Sequence, residues 1–181
     1  TLPEVTQTVI LPRIQAPALG MRIDPIQKTA ASAAGELFHA CLERHAPPGV
    51  ARNLPALAAQ LGLEAKTLDS IETRARELVA QSHLARYFDP AQYLRARNEL
   101  AIIDGDGNLQ RIDRLVEFED AVWVLDYKTG EDSEGLPDTA LLAQHSAQLD
   151  GYAEAVARIY PGKAVHSALL LPSGRLIARQ P

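Results

Sequence analysis

The chain has 181 residues, of which 46% are hydrophobic and 23% charged, a balance typical of one globular domain with a sizeable core. We expect neither a membrane span nor a secretory signal, because the sequence has no long apolar run and no basic and apolar segment at its start. The formal net charge of -5 argues against binding nucleic acid by bulk charge, although carboxylates that hold a cation also make a chain acidic.

The single cysteine, Cys41, excludes an internal disulfide and any four-cysteine zinc or iron–sulfur site within the chain. We expect Cys41 to be a small buried apolar residue on a helix. One unpaired cysteine is compatible with a reducing, cytoplasmic location.

The first half of the chain is predicted to be helical. Residues 1–30 contain four prolines and little periodicity, which predicts an extended arm or linker before a single domain over residues 31–181. Three helices are predicted after the arm: from Thr29 or Ser32 to His45, over residues 54–61 with Gly62 as the stop, and over residues 67–86.

The second half is predicted to contain four strands and one long helix. The predicted elements are a strand ending at Ile103, a turn over residues 104–108, strands over residues 109–118 and 121–128, a loop over residues 131–137, a helix over residues 138–160 and a strand over residues 165–171. Strands with short links pair antiparallel, and a strand reached through a helix can pair in parallel. We therefore predict an α/β fold with a mixed central sheet flanked by helices.

The hairpin of the second and third strands carries the candidate chemistry. If residues 119–120 form a short even-length turn, Asp113 lies directly opposite Asp126, with Cβ atoms roughly 4.5–5.5 Å apart. An odd-length loop would shift the register and separate the two carboxylates, and residues 119–120 are not a preferred pair for a tight turn.

Opposed carboxylates are destabilising unless a cation lies between them, and oxygen-rich sites suit Mg²⁺ or Mn²⁺. Lys128 lies two residues beyond Asp126, so strand alternation places both side chains on one face. The alternative is an ordinary surface ion pair between Asp126 and Lys128.

Four sequence motifs resemble the PD-(D/E)XK nucleases, and most closely the RecB/AddA-type nuclease domains of bacterial helicase–nucleases. In chain order they are Gly35-Glu36-Leu37-Phe38-His39, Arg97-Asn98-Glu99, Asp113 followed by Asp126-Tyr127-Lys128-Thr129, and Gln148-Leu149-Asp150-Gly151-Tyr152. The resemblance implies a restriction-endonuclease-like fold. It also implies that the chain is part of a longer polypeptide whose helicase motor precedes it.

The resemblance assigns roles to these residues. It implies that His39, Asp113, Asp126 and the main-chain carbonyl of Tyr127 hold Mg²⁺ or Mn²⁺. Lys128 would orient or help deprotonate the attacking water, or stabilise charge on the phosphate.

Some residues keep alternative roles. Without the resemblance, a lone helical histidine such as His39 is usually structural. Glu99 is either a further carboxylate of the metal site and catalytic centre or the partner of an arginine. Gln148 and Tyr152 share a helix face and would contact DNA or brace the catalytic strand. Otherwise Tyr152 belongs to the apolar stripe and Gln148 is solvated.

The sequence thus predicts a metal-dependent deoxyribonuclease domain, an exonuclease by resemblance. Its expected partners are single-stranded DNA, helicase motor domains and a further subunit, in recombination and double-strand-break repair. The rival is a catalytically inactive nuclease-like module that binds DNA or a partner subunit.

Overall fold

The computed structural model describes residues 30–103, 107 and 109–179. The arm predicted over residues 1–30 lies, except for its last residue, outside the described residues, as does most of the turn predicted over residues 104–108. None of the described helices is both long and apolar enough to cross a membrane.

Five helices and five strands form the described part of the domain. The helices are α1 (Ala30–His45), α2 (Leu54–Gln60), α3 (Ala65–Val79), α4 (Ala85–Phe88) and α5 (Asp138–Ile159). The strands are β1 (Arg95–Ile103), β2 (Leu109–Glu117), β3 (Ala121–Tyr127), β4 (Ala164–Leu170) and β5 (Leu176–Ala178). Single 3₁₀ turns lie over Ser82–Leu84, Pro90–Gln92 and Glu131–Gly135.

The sheet has the strand order β1-β2-β3-β4-β5. Adjacent strands are antiparallel except β3 and β4, which are parallel because α5 carries the chain back across the sheet between them. The prediction of a mixed sheet flanked by helices, the restriction-endonuclease-like architecture, is confirmed.

Helices cover both faces of the sheet. On one face, α1 to α4 pack with residues such as Val116 and Leu125 in the largest apolar cluster. On the other face, α5 packs with residues such as Val122 and Val124. The alternation along β3 therefore buries both of its faces. Cys41 is fully buried on α1, which confirms the expectation for the cysteine.

The third helix is shorter than predicted. A helix was expected over residues 67–86, but α3 ends at Val79 and the chain extends at Gln81. Gln81 Nε2 donates to Ser173 O at 3.2 Å, and His83 Nε2 lies 2.9 Å from Gly174 O. These contacts with the β4–β5 turn lie where the chain changes direction. Local sequence patterns do not predict contacts between residues 91 or 92 positions apart.

Two further elements were not predicted. β5 has only three residues, too few for a period-two pattern to be recognised. The predicted loop over residues 131–137 contains a 3₁₀ turn. The carboxylate of Glu134, in this loop, accepts hydrogen bonds from Ser173 N and Oγ, both at 2.9 Å. These bonds hold the loop against the β4–β5 turn.

Candidate metal and catalytic site

The predicted register of the β2–β3 hairpin is confirmed as far as Arg114 and Leu125, but the expected pairing of Asp113 with Asp126 on one face is not formed, since Asp113 points to α1 and Asp126 lies on the side of α5. Arg114 pairs with Leu125, and Phe118 N donates to Ala121 O at 2.8 Å, which is the spacing of a two-residue turn. Beyond Arg114 the backbone ladder ends. There Asp113 Oδ2 accepts a hydrogen bond from Tyr127 N at 2.6 Å, so a carboxylate occupies the place of the next main-chain acceptor.

Helix α1 brings His39 to this carboxylate. Nδ1 of His39 lies 3.3 Å from Oδ1 of Asp113, and the His39 ring packs edge-on to the Tyr127 ring with centroids 5.7 Å apart. The close approach of α1 depends on Gly35, because a Cβ added there would lie 2.6 Å from Thr129 Oγ1. Gly35 and His39, the first and last residues of the first motif, therefore both contribute to the contact of α1 with the end of β3.

Glu99 reaches the same place from β1. One ligand atom each of His39, Glu99 and Asp113 lies within 4.8 Å of the others. Glu99 also pairs with Arg111, whose Nε lies 2.7 Å from Glu99 Oε2. Both roles left open for Glu99 are therefore compatible with its position.

Asp126 and Lys128 form a second group on the α5 side. Lys128 Nζ lies 2.7 Å from Asp126 Oδ2 and donates a hydrogen bond to Gln148 Oε1 at 2.9 Å. The Asp126 side chain is 4% exposed and that of Lys128 is 18% exposed. The pair is thus not the surface ion pair of the alternative explanation, since both groups are largely desolvated.

Gln148 and Tyr152, the ends of the fourth motif, hold Lys128 in place through hydrogen bonds. Gln148 Nε2 donates to the hydroxyl of Tyr152 at 2.8 Å, and that hydroxyl donates to Arg111 O at 2.8 Å. A continuous hydrogen-bonded chain therefore runs from Lys128 to the backbone of β2. Tyr152 is buried at 3% exposure, and a contact of Gln148 or Tyr152 with DNA stays a prediction.

Crowded carboxylates dominate the electrostatics. Burial, then the charge of Asp113, raise the pKa of Asp126 to about 6 against the attraction of Lys128. Burial likewise raises the pKa of Glu99, opposed by Arg111. At His39 burial lowers the pKa, but the hydrogen bond to Asp113 and the nearby carboxylates outweigh it, so that the net pKa is raised. The site therefore favours positive charge.

A cavity of about 660 Å³ opens onto His39 and Glu99 of the three-residue ligand group. Its lining includes His39, Glu99 and Arg111, together with Glu43 and its ion-pair partner Arg52. The cavity thus gives a solute access to the imidazole and carboxylate and places two guanidinium groups around them.

The structure assembles most of the predicted site residues. It brings His39, Glu99 and Asp113 within ligand distance of one another and places Asp126 beside Lys128. Asp126 is not part of the compact three-residue group, and the ligand role of the Tyr127 carbonyl stays a prediction.

One residue near the site has a role that sequence reasoning missed. Arg114 is fully buried and donates to the carbonyls of Tyr87 and Pro47. The signal was available, because Arg114 shares strand parity with the apolar residues Ile112 and Val116.

The arrangement suits a hard divalent cation next to a buried ammonium group. Carboxylate oxygens with one imidazole nitrogen are donors for Mg²⁺ or Mn²⁺. A model of the PD-(D/E)XK nuclease superfamily matches residues 16–179 of the chain, nearly its whole length. A search of curated proteins found no match.

Proposed function

Because the chain belongs to the PD-(D/E)XK nuclease superfamily, we propose that it is a metal-dependent deoxyribonuclease that hydrolyses DNA phosphodiester bonds. The observation that carries the proposal is the convergence of His39, Glu99 and Asp113 within 4.8 Å beside a buried Asp126–Lys128 pair. Phosphodiester hydrolysis needs a positioned water and compensation of phosphate charge, and this donor set suits the cation that supplies them.

The residues fit Mg²⁺ or Mn²⁺ for a physical reason. Burial and repulsion from Asp113 raise the pKa of Asp126 and of Glu99, so Lys128 and Arg111 compensate their ionised forms only in part and a cation would add the missing positive charge. His39, Glu99, Asp113 and Asp126 would hold the ion. When bound, it activates water and neutralises charge on the scissile phosphate.

Lys128 would act on the reacting groups directly. Its ammonium is held by Asp126 and Gln148, so little reorganisation is needed when charge develops on the phosphate. The lysine would orient the attacking water or stabilise the developing negative charge. Gln148 and Tyr152 would keep the ammonium in place through the hydrogen bonds they make.

The finer assignment rests on the motif resemblance. We propose that the substrate is a single strand of DNA, cut by exonuclease action and delivered by helicase motor domains of the same polypeptide or a further subunit. The setting would be recombination and double-strand-break repair in the cytoplasm. Support for this comes from the four motifs and their order, which resemble RecB/AddA-type domains.

The first test replaces Lys128 with Ala. We expect Mg²⁺-dependent cleavage of single-stranded DNA to fall by about 10²–10³-fold, the usual loss when one group that stabilises developing charge is removed. Single-turnover cleavage of end-labelled DNA measures the effect, and circular dichroism checks the fold. Lys66→Ala, an exposed lysine on α3, is the matched control.

Undiminished cleavage by Lys128→Ala would refute the assigned role of the lysine. Wild-type protein that binds DNA but does not cleave it with Mg²⁺ or Mn²⁺ would instead support the inactive nuclease-like module.

A further inference from the structure

The side-chain alternation of β1 reverses at the candidate site. Ala96 packs with the apolar cluster under α1, whereas Leu100 and Ile102 pack with the cluster under α5. Residues two or four apart on a regular strand share a face, so the strand has turned over between them. Glu99 lies at this point with φ of +52°, a left-handed conformation that non-glycine residues rarely adopt.

Strand β2 reverses at the same level. Val116 faces the α1 side and Ile112 the α5 side, although both have even numbers. The register is the same on both sides of the reversal, with Asn98 opposite Arg114 and Leu100 opposite Ile112, so no residue has been inserted. As a result, two neighbours on each strand point to α1: residues 98–99 on β1 and residues 113–114 on β2.

Asn98 and Arg114 are bonded to each other at the reversal. Arg114 Nη1 donates to Asn98 Oδ1 at 2.6 Å. Both side chains also hold the segment that follows α1. Asn98 Nδ2 donates to Ala46 O at 2.7 Å, and Arg114 Nη2 donates to Pro47 O at 2.9 Å. The pair thus ties β1, β2 and the end of α1 together.

The guanidinium of Arg114 is fully buried and its acceptors are neutral. They are the carbonyls of Tyr87 and Pro47 and the amide of Asn98, and the rings of Phe88 and Tyr93 lie 4.8 and 5.7 Å from the guanidinium carbon. A buried charge is tolerated only when its donors are satisfied in fixed directions. Besides bonding α4 through Tyr87 O, the arginine imposes one geometry, together with Asn98, on three segments: β1, β2 and the end of α1.

Those three segments carry the three candidate ligands. Glu99 follows Asn98 on β1, Asp113 precedes Arg114 on β2, and His39 lies on α1. We propose that Asn98 and Arg114 are positioning residues: by locking the strand reversal to the end of α1, they set the spacing of the three ligand atoms and hence the cation affinity. The identity of the ion rests on the proposed function.

The test measures Mn²⁺ affinity of the whole chain, by electron paramagnetic resonance of free Mn²⁺, at a temperature where each variant is folded. Asn98→Ala removes the bond accepted from Arg114 and the bonds that Nδ2 donates to the carbonyls of Glu43, Ala46 and Pro48. We expect its Mn²⁺ dissociation constant to rise about 10–100-fold, the usual effect of losing a residue that orients metal ligands. Asn98→Asp keeps the acceptor for Arg114 but loses the donor to Ala46, and we expect a loss in the same direction.

The matched control is Lys163→Met. Lys163 Nζ donates to Phe118 O at 2.7 Å and to Glu117 Oε1 at 2.9 Å, so it ties down the opposite end of β2. This variant loses hydrogen bonds between segments, as the Asn98 variants do, but far from the ligands. We expect its Mn²⁺ affinity to stay within about twofold of wild type.

The outcomes separate the two proposals. If the wild-type protein binds Mn²⁺ and both Asn98 variants bind it with the same affinity, the positioning role is wrong and the proposed function still holds. An equal loss in the Lys163 variant also overturns it, because any loss of stability would then suffice. If both Asn98 variants fail to fold while Lys163→Met folds, the pair is a folding requirement and the inference is wrong. Wild-type protein that binds no Mn²⁺ overturns both proposals.

Discussion

At the scale of single residues, the candidate site combines groups that oppose one another without a cation. Asp126 is buried and close enough to Asp113 for the charge to raise its pKa, and Lys128 compensates only in part. Such electrostatic repulsion lowers the stability of the folded protein, as is common at functional sites. Its effect on the free energy of unfolding can be measured.

We predict that Asp126→Asn stabilises the metal-free protein at neutral pH. The pKa of Asp126 is about 6 when folded and 3.8 ordinarily, so the folded state holds this proton more tightly than the unfolded state does. The stability that Asp126 contributes is fully present below pH 3.8 and is lost as the pH rises through about 6. At pH 7 the loss is on the order of 3 kcal/mol, which the asparagine avoids.

Urea unfolding in EDTA at pH 4 and pH 7 measures this difference. We expect the variant's advantage in unfolding free energy to be larger at pH 7 than at pH 4. Parallel pH profiles for the two proteins would contradict the assignment of a raised pKa to Asp126. The variant should also cleave DNA poorly, since it lacks an ionised carboxylate beside Lys128.

At the scale of elements, the site depends on how closely α1 docks on the end of β3. Gly35 faces Thr129 at a distance that leaves no room for a side chain. The same helix carries His39 one turn further along, so a displacement of α1 moves the imidazole away from Asp113. Docking and ligand geometry are therefore coupled.

We predict that Gly35→Ala weakens Mn²⁺ binding and that Thr129→Ala rescues it. The new methyl group would lie 2.6 Å from Thr129 Oγ1 but 3.6 Å from Thr129 Cβ, so removing the hydroxyl restores an ordinary contact. A double-mutant cycle with isothermal titration of Mn²⁺ measures the coupling. Additive effects of the two substitutions would mean that the contact does not control the position of α1.

At the scale of the whole molecule, apolar packing on both faces of the sheet joins the layers. Apolar clusters on both faces of the sheet bury the large side chains of α1, α3 and α5 against the strands. The cavity by contrast runs along α1, from Ala31 to Glu43, and includes the polar side chains of His39 and Glu99. A cation there should add binding energy without being needed to hold the layers together.

We predict that chelation leaves the fold intact and that Mn²⁺ raises the melting temperature through binding alone. At 100 times the dissociation constant, the added stability is about 2.7 kcal/mol. Calorimetry with EDTA and with a Mn²⁺ series measures it, and Asp113→Ala should remove the Mn²⁺ dependence. Loss of the fold in EDTA, seen by circular dichroism, would show instead that the ion is structural.

The sequence by itself determined the local parts of the site. Spacing in the β2–β3 hairpin predicted the register that brings Asp113 to the end of β3 on the condition of a two-residue turn, and the structure has that turn. Period-two and helical patterns identified most strands and helices, and the motifs indicated His39 and Lys128. These inferences need only neighbouring residues and the regular geometry of strands and helices.

Only the tertiary structure decided how these parts meet. The reversal at Glu99 and the hydrogen bond from Lys128 to Gln148 both depend on segments distant in sequence. No local pattern encodes them, because they arise from the packing of α1 and α5 on opposite faces of one sheet. The structure grouped Glu99 with His39 and Asp113, one of the two roles that the sequence left open for Glu99, and showed that Asp126 and Lys128 form a desolvated pair.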